Sequence, residues 1–516
     1  MEDKKDIEIL SLDEEVIEKP KTRASRYENL LENEDKKKEK PIKEKKASKK
    51  ERREEEKKLE KILDDDIEEN DIEDDKEEDM CKRRKKRKLK KGIGQTIFCL
   101  ISLLFMLGCF VFYGSRAIKY YKEYHPKTSD GKELLARSIM KNSKIVIEGD
   151  GLYRESGNHV FKGKEVNNYI RYSNLTWRII KISSDNTLEI VLDNPINIMP
   201  YDTTNSKFSK SDVSKYLNKE FKQYLDTKKL AKAIVCEDKI SDLTKLSCKE
   251  SNSNNYVKLP DISDLLNSIN NDSTYLSDED DSIWLYNTKD NKNVWSASGH
   301  NLVASSTKEF YQVKPVVVLK NTNVLLGGKG TIDNPYKIEK ESKKIKFGSY
   351  VQLGEDKWVV YGNNKDTLKL TLADLDTSVK ARVFSNNKNS YDPNDNGSIA
   401  SYLNNIYYKD MSYKDKLVKN KWEIGKYKTS YEDTASETVE AYIGLLSASD
   451  LKLGMFSDYY YTLTPAEDTM VYIYGHSLLE SYVYSYEYYR PAIVIKDNLK
   501  IKSGSGTIKD PFILEV

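Results

Sequence analysis

Histidine and cysteine are scarce in this chain, four and five in 516 residues. That scarcity leaves few side chains for nucleophilic, acid–base or metal chemistry. No serine nucleophile elbow, phosphate loop or zinc-binding helix motif occurs. No two cysteines have the CxxC spacing. A catalytic carboxylate pair cannot be nominated either, because Asp and Glu number 84 together and spacing alone does not locate a cleft. The pattern points away from an enzyme and toward neither cofactor nor metal.

Long apolar runs are equally rare, and the exception stands out. Residues 96–113 read TIFCLISLLFMLGCFVFY, without a charged side chain. As a helix this run would be roughly 27 Å long, close to a bilayer's hydrocarbon thickness. Nine of the ten residues from Lys82 to Lys91 precede it as positive charge, whereas the far flank carries only Arg116, Lys119 and Lys122, with Glu123 among them. The positive-inside rule then predicts a single-pass, type II membrane protein with a span over 93–113. Its N-terminus would be cytoplasmic, and residues from about 114 would lie at the cell surface. A basic block beside such a run reads as a topology signal rather than a nucleic-acid patch, so no nucleic-acid partner is expected.

Residues 1–91 contain one aromatic, Tyr27, and few large aliphatics. Such a chain cannot bury enough apolar surface to offset the entropy of ordering, which predicts a disordered charged cytoplasmic tail. The 51–63 stretch, ERREEEKKLEKIL, could form a helix with i,i+4 pairs, but its apolar positions do not sustain heptads. The tail's alternative role is docking a cytoplasmic partner. A stalk over 114–144 would connect the span to the rest.

The remainder is duplicated. VKPVVVLKNTNVLLGGKGTIDNPYKIEK, from Val313, aligns without a gap with YRPAIVIKDNLKIKSGSGTIKDPFILEV, from Tyr489. Upstream, in the same order, Trp177 matches Trp358, and Tyr216-Leu217-Asn218 matches Tyr402-Leu403-Asn404. YVKLPDISDL from Tyr256 matches YIGLLSASDL from Tyr442, and Gly299-His300 matches Gly475-His476. The period, about 180 residues, is too long for a solenoid unit, so each copy is expected to be a domain, 145–341 and 342–516. Each opens with two short strands, WRIIKI and TLEIVL in the first copy. A helix follows, capped by Ser211 or Ser398, with Val213, Tyr216, Leu217 and Phe221 on one face. A second short helix is predicted at Ser263-Asp264 or Ser449-Asp450. Each copy ends with Tyr- and Trp-rich strands, a Gly-rich turn and a short edge strand. The fold class is α+β.

WRI near the start, the YLN helix, YIGLLSASDL, YTLTP and RPAIVIK…GSGTIKDPF together resemble a domain of unknown function in single-span surface proteins of low-GC Gram-positive bacteria. The resemblance covers roughly 145–516, twice over. The closing pattern is also similar to the C-type-lectin-like and formylglycine-generating-enzyme-like fold. Sugar-binding C-type lectins hold calcium with EPN or QPD and WND, which are absent here, and formylglycine-generating enzymes need reactive cysteines, which the second copy lacks. The resemblance implies a scaffold, two tandem lectin-like domains, without transferring an activity.

Cys236 and Cys248 form the one cysteine pair downstream of the apolar run and are a disulfide candidate, with roughly 3 kcal/mol expected from closing the loop. Cys99 and Cys109 lie within the apolar run as small apolar residues. His300 and His476 occupy matched positions but have no Cys, Asp or Glu at ligand spacing. Asp392-Pro393-Asn394-Asp395-Asn396-Gly397 imitates half a calcium loop, but Leu403 stands where a bidentate Glu is required, which favours an Asx-rich turn. Tyrosine is the abundant resource, 36 residues in all, and it crowds the end of the second copy in DYYYTLTP and ESYVYSYEYYRP. Tyr472, Tyr474, Tyr482, Tyr484 and Tyr486, with His300 and His476, are the ligand-binding candidates, since exposed Tyr gives rigid amphipathic contact area. The expected function is a non-enzymatic, membrane-anchored surface protein presenting two lectin-like domains to an extracellular protein or glycan. The alternative is an envelope signalling or assembly component that couples binding to the tail.

Overall fold

The computed structural model describes residues 92–124, 131–375 apart from Lys245 and Ser247, 381–427, 437–455, and 459–515 apart from Asp468. The tail over 1–91, with its expected disorder and docking role, lies outside the described residues, as does His125. The chain divides into two compact units, Met1–Ser115 and Arg116–Val516.

Gly92–Tyr124 is one helix. Among the described residues, however, no helix is long and apolar enough to cross a membrane. This overturns the single-pass span, the type II orientation and the membrane location expected from the sequence.

Across the structure strand outweighs helix, 35% against 17%, so the class is α+β with sheet dominant. Helix Leu135–Asn142 buries Leu135, Ala136 and Ile139 in the same core as Phe161 and Trp177. A hairpin, Gly151–Glu155 with Asn158–Lys162, follows. Tyr169–Tyr172, Leu175–Ile182 and Leu188–Leu192 then run antiparallel in succession. Leu188–Leu192, LEIVL, is buried at every position, as a central strand covered on both faces must be. It pairs with Val316–Leu319, which pairs in turn with Val257–Lys258. Tyr336–Lys337 returns to lie parallel beside Tyr169–Tyr172.

Residues 350–514 repeat this order. Tyr350–Leu353, Asp356–Asn363 and Thr367–Leu372 are antiparallel, Pro491–Lys496 and then Ile443–Leu445 complete one side, and Phe512–Leu514 lies parallel beside Tyr350–Leu353. A second sheet also recurs. Ser282–Thr288, Asn293–Ser298 and Asn301–Ser306 form a meander with Tyr311–Val313 parallel to its first strand. Tyr460–Pro465, Met470–Tyr474 and Leu478–Tyr482 do the same, with Tyr488–Tyr489 parallel to the first.

The expected long helix is broken in both places, at the same point. Ser211 caps Asp212–Tyr216 by accepting from Ser214 N, and Ser398 caps Ile399–Tyr402 by accepting from Ser401 N. Each then widens into a π-turn, Leu217–Phe221 or Leu403–Tyr407. The matched asparagines explain why. Asn218 Nδ2 donates to Ser214 O (3.0 Å) and Val257 O (2.8 Å), while its Oδ1 accepts from Tyr256 N (3.2 Å) and Val257 N (3.1 Å). Asn404 makes the same four bonds to Ala400 O, Ile443 O, Tyr442 N and Ile443 N. One amide thus saturates the backbone where a buried strand begins, using its full donor and acceptor capacity.

The second short helix forms once. Asp261 and Asp264 make a capping box at the start of Ile262–Ser268. The matched 448–454 segment holds no helix. There the backbone turns toward the other repeat instead, with Lys452 N donating to Ile196 O (2.8 Å) and Gly454 N to Pro195 O (3.0 Å). Side chains cross as well: Ile198 is buried in the second repeat's core and Leu451 in the first's.

The closing turns need glycine. Gly328 has φ 93° and Gly504 φ 94°, and a Cβ on either would fall 2.0 or 1.9 Å from the carbonyl oxygen of Pro335 or Pro511.

Candidate functional site

The tyrosines near the end of the second repeat separate by burial. Tyr474 is fully buried, and its hydroxyl donates to Asn197 Oδ1 at 3.0 Å. Tyr472 is half-buried, its ring 5.5 Å from that of Tyr427. Neither belongs to an exposed face, which corrects the expectation that they join Tyr482, Tyr484 and Tyr486 in one surface. The cause is packing on the face they share: Asn197 and Lys452 meet Tyr474, and Tyr427 meets Tyr472.

The outer positions are different. Tyr482, Tyr484, Tyr486 and Tyr488 are 49%, 55%, 75% and 41% exposed, enough to present whole ring faces. Between them the chain is held from below. Val483 is buried and its N–H donates to Thr469 O (2.9 Å). Tyr461 OH donates to Ser485 O (2.5 Å), Ser481 Oγ donates to Glu487 Oε1 (3.1 Å), and Glu487 exchanges backbone hydrogen bonds with Arg382. The chain turns here, Ser485 N donating to Tyr482 O (3.0 Å), and Tyr482, Tyr484, Tyr486 and Tyr488 are exposed in alternation along it. The rings of Tyr482 and Tyr484 stack at 5.1 Å with planes 11° apart. Leu479 adds apolar surface on the same edge strand.

His300 and His476 both sit at hairpin tips, between the last two strands of their meanders. His476 is exposed, with Nδ1 3.6 Å from Asp281 Oδ1 in the other repeat. Burial raises the Asp281 carboxyl above its usual range, against the pull of Gln312 and His476. His300 is half-buried, and its Nδ1 has no hydrogen-bond partner among the described residues.

Cys236 and Cys248 are joined in a disulfide, their Cα atoms 5.7 Å apart. Asp238 lies beside them, its Oδ2 accepting from the N–H groups of Lys249 and of Glu250 (3.1 Å). These backbone bonds hold its carboxyl below the ordinary range. The Asp392–Gly397 segment is a turn: Asp392 Oδ1 accepts from Asn394 N (2.9 Å) and Asp395 Oδ2 from Ser385 Oγ (2.7 Å).

Sequence reasoning missed two buried polar clusters. In the first repeat, Lys258 and Lys181 face Glu189, with Asp264 and Asp261 also near Lys258. Tyr286 OH donates to Asp261 (3.0 Å). Burial opposes ionisation of Glu189, but Lys258 and Lys181 outweigh it and keep the carboxyl below its usual range. Asp264 is displaced upward by burial and then by Asp261 and Glu189. The signal was available: Glu189 interrupts LEIVL, and Lys258 sits between Val257 and Leu259.

The second cluster joins the repeats. Lys452 Nζ donates to Ala448 O (2.8 Å), Asp450 O (2.9 Å), Ser447 O (3.0 Å) and Asn197 Oδ1 (3.3 Å), and lies 4.2 Å from the centre of the Tyr474 ring. Burial lowers its amine to about 7, with Asp450 pulling the other way. The Lys452–Leu453–Gly454 turn carried no sequence signature of this role. The matched cations Lys314 and Arg490 are also buried on backbone oxygens, of Leu276 and of Leu372 and Ala373.

Comparison with protein-family models, curated proteins and solved structures finds no match for this chain.

Proposed function

We propose that the chain is a non-enzymatic binding protein whose recognition surface is the tyrosine edge at Tyr482, Tyr484, Tyr486 and Tyr488, and whose ligand is a protein or a glycan. The observation that carries this reading is four exposed tyrosines in alternation on a backbone pinned beneath them. Rings held this way lose little conformational freedom on contact, and each offers an apolar face with a hydroxyl at its tip. Aromatic side chains of this kind dominate interface energetics elsewhere. The closing-strand resemblance to C-type-lectin-like domains supports a scaffold that displays ligand-binding loops.

The test is a glycan-array and surface-protein binding screen with the full chain and a Tyr482→Ala/Tyr484→Ala/Tyr486→Ala variant. Ligands bound by the native chain and lost by the variant support the reading. A variant that keeps every ligand overturns it.

A further inference from the structure

Cys236, Asp238 and Cys248 bring two sulfur atoms and a carboxylate oxygen within 4.8 Å of one another. Cys236 Sγ is 3.6 Å from Asp238 Oδ2. In a tetrahedral zinc site, with Zn–S of about 2.3 Å and Zn–O of about 2.1 Å, the sulfur–oxygen edge is also about 3.6 Å. The two Cα atoms, 5.7 Å apart, suit either a sulfur–sulfur bond or a shared metal.

Backbone hydrogen bonds as well as the disulfide hold the Cys236 side of this hairpin. Val235–Cys236 pairs antiparallel with Ser251–Asn252, placing Cys236 opposite Ser251. Glu237 N donates to Glu250 O at 2.8 Å, continuing the ladder toward the cysteines. The amides of Lys249 and Glu250 orient the Asp238 carboxylate, the outer-shell support that metal-ligating carboxylates receive. We take opening of the sulfur–sulfur bond to leave both cysteines beside the Asp238 carboxylate that these amides orient. Cys248 is exposed, so an ion has an entry path.

We propose that this hairpin is a redox-gated site for a thiophilic divalent cation of the zinc type. It would be held by Cys236 Sγ, Cys248 Sγ and Asp238, with water in the fourth position. The opening step is thiol–disulfide exchange with a dithiol reductant: its two sulfurs become a disulfide, and Cys236 and Cys248 become thiols. Binding then releases two protons, one from each thiol, as the thiolates ligate the cation. Disulfide and metal are alternative closures of one loop. Soft thiolates favour zinc over magnesium or calcium. This site is separate from the tyrosine edge, and its fate does not bear on that reading.

The experiment uses the full chain with Cys81, Cys99 and Cys109 replaced by serine, so that only the hairpin thiols remain. Cobalt(II) is titrated into the reduced and the oxidised protein, and thiolate-to-cobalt charge-transfer absorption is followed. Zinc is then added to displace it. The expected result is saturation at one cobalt per reduced chain, displacement by zinc, and no charge-transfer band in the oxidised chain. Asp238→Asn should weaken binding by about tenfold or more, the loss seen even when an outer-shell partner is removed. Circular dichroism of each variant confirms that the fold is kept. The proposal is overturned if the reduced chain shows no such band, if the band survives in Cys236→Ser/Cys248→Ser, or if Asp238→Asn binds as tightly as its parent.

Discussion

Asn197 and Lys452 belong to different repeats, yet the Asn197 amide oxygen accepts a 3.3 Å hydrogen bond from the Lys452 ammonium in a buried site. The same oxygen accepts from Tyr474 OH, and Asn197 Nδ2 donates to Tyr216 OH at 3.2 Å. Replacing Asn197 with leucine removes the acceptor shared by Lys452 Nζ, Tyr474 OH and Ile198 N, although Lys452 keeps the carbonyls of Ser447, Ala448 and Asp450. We expect a loss of about 1–3 kcal/mol, the cost of removing one partner from buried polar groups, measured by urea unfolding. A loss below about 0.5 kcal/mol would show that the junction is dispensable.

Lys452 makes stability depend on pH, with a defined sign. Its amine is at about 7 in the folded chain and has a reference value of 10.5. Between these values the unfolded chain binds more protons than the folded one, so stability rises with pH and levels off above the upper value. Below about 7 both states are protonated and the full penalty of the buried charge is present. Lys452→Met should flatten this rise, seen as a smaller difference between midpoints at pH 7 and pH 10 in urea titrations. Equal slopes in the two proteins would rule the account out.

Gly504→Ala places a Cβ 1.9 Å from Pro511 O, at φ 94°. No flexible side chain can give way, because the obstacle is backbone. The substitution should cost more than about 1 kcal/mol and lower the thermal midpoint, and Gly328→Ala should behave alike. Thermal denaturation of the two variants side by side checks both the strain and the equivalence of the turns.

Tyr486→Ala and Tyr474→Phe should separate recognition from folding. Tyr486 is 75% exposed, so its removal should change stability by no more than about 0.5 kcal/mol while weakening ligand binding. Tyr474→Phe removes a buried hydroxyl that bonds Asn197, and should cost about 1–2 kcal/mol. Calorimetric unfolding beside a binding titration distinguishes the two.

Much of the local structure was legible because it follows from backbone chemistry. LEIVL reads as a short strand, Ser211 and Ser398 read as caps, and Gly328 and Gly504 read as turn residues. What escaped needed partners distant in sequence. The break after Tyr216 and Tyr402 arises from Asn218 and Asn404 reaching strands about forty residues on, a contact that helical periodicity does not encode. Tyr474 looked like its exposed neighbours because alternation shows that residues face opposite ways, not which face a later strand will cover. The 448–454 segment shares its Ser-Asp-Leu signature with a helix, but its carbonyls are engaged by Lys452 and its amides by the other repeat. The apolar run suggested a span by composition, but among the described residues no helix is long and apolar enough for one.

The closing strand of each repeat returns parallel beside an early strand of the same repeat, Tyr336–Lys337 beside Tyr169–Tyr172 and Phe512–Leu514 beside Tyr350–Leu353. The copies are nonetheless not interchangeable modules: Ile198 fills the second interior and Leu451 the first, so excising either copy would leave a hole in the survivor.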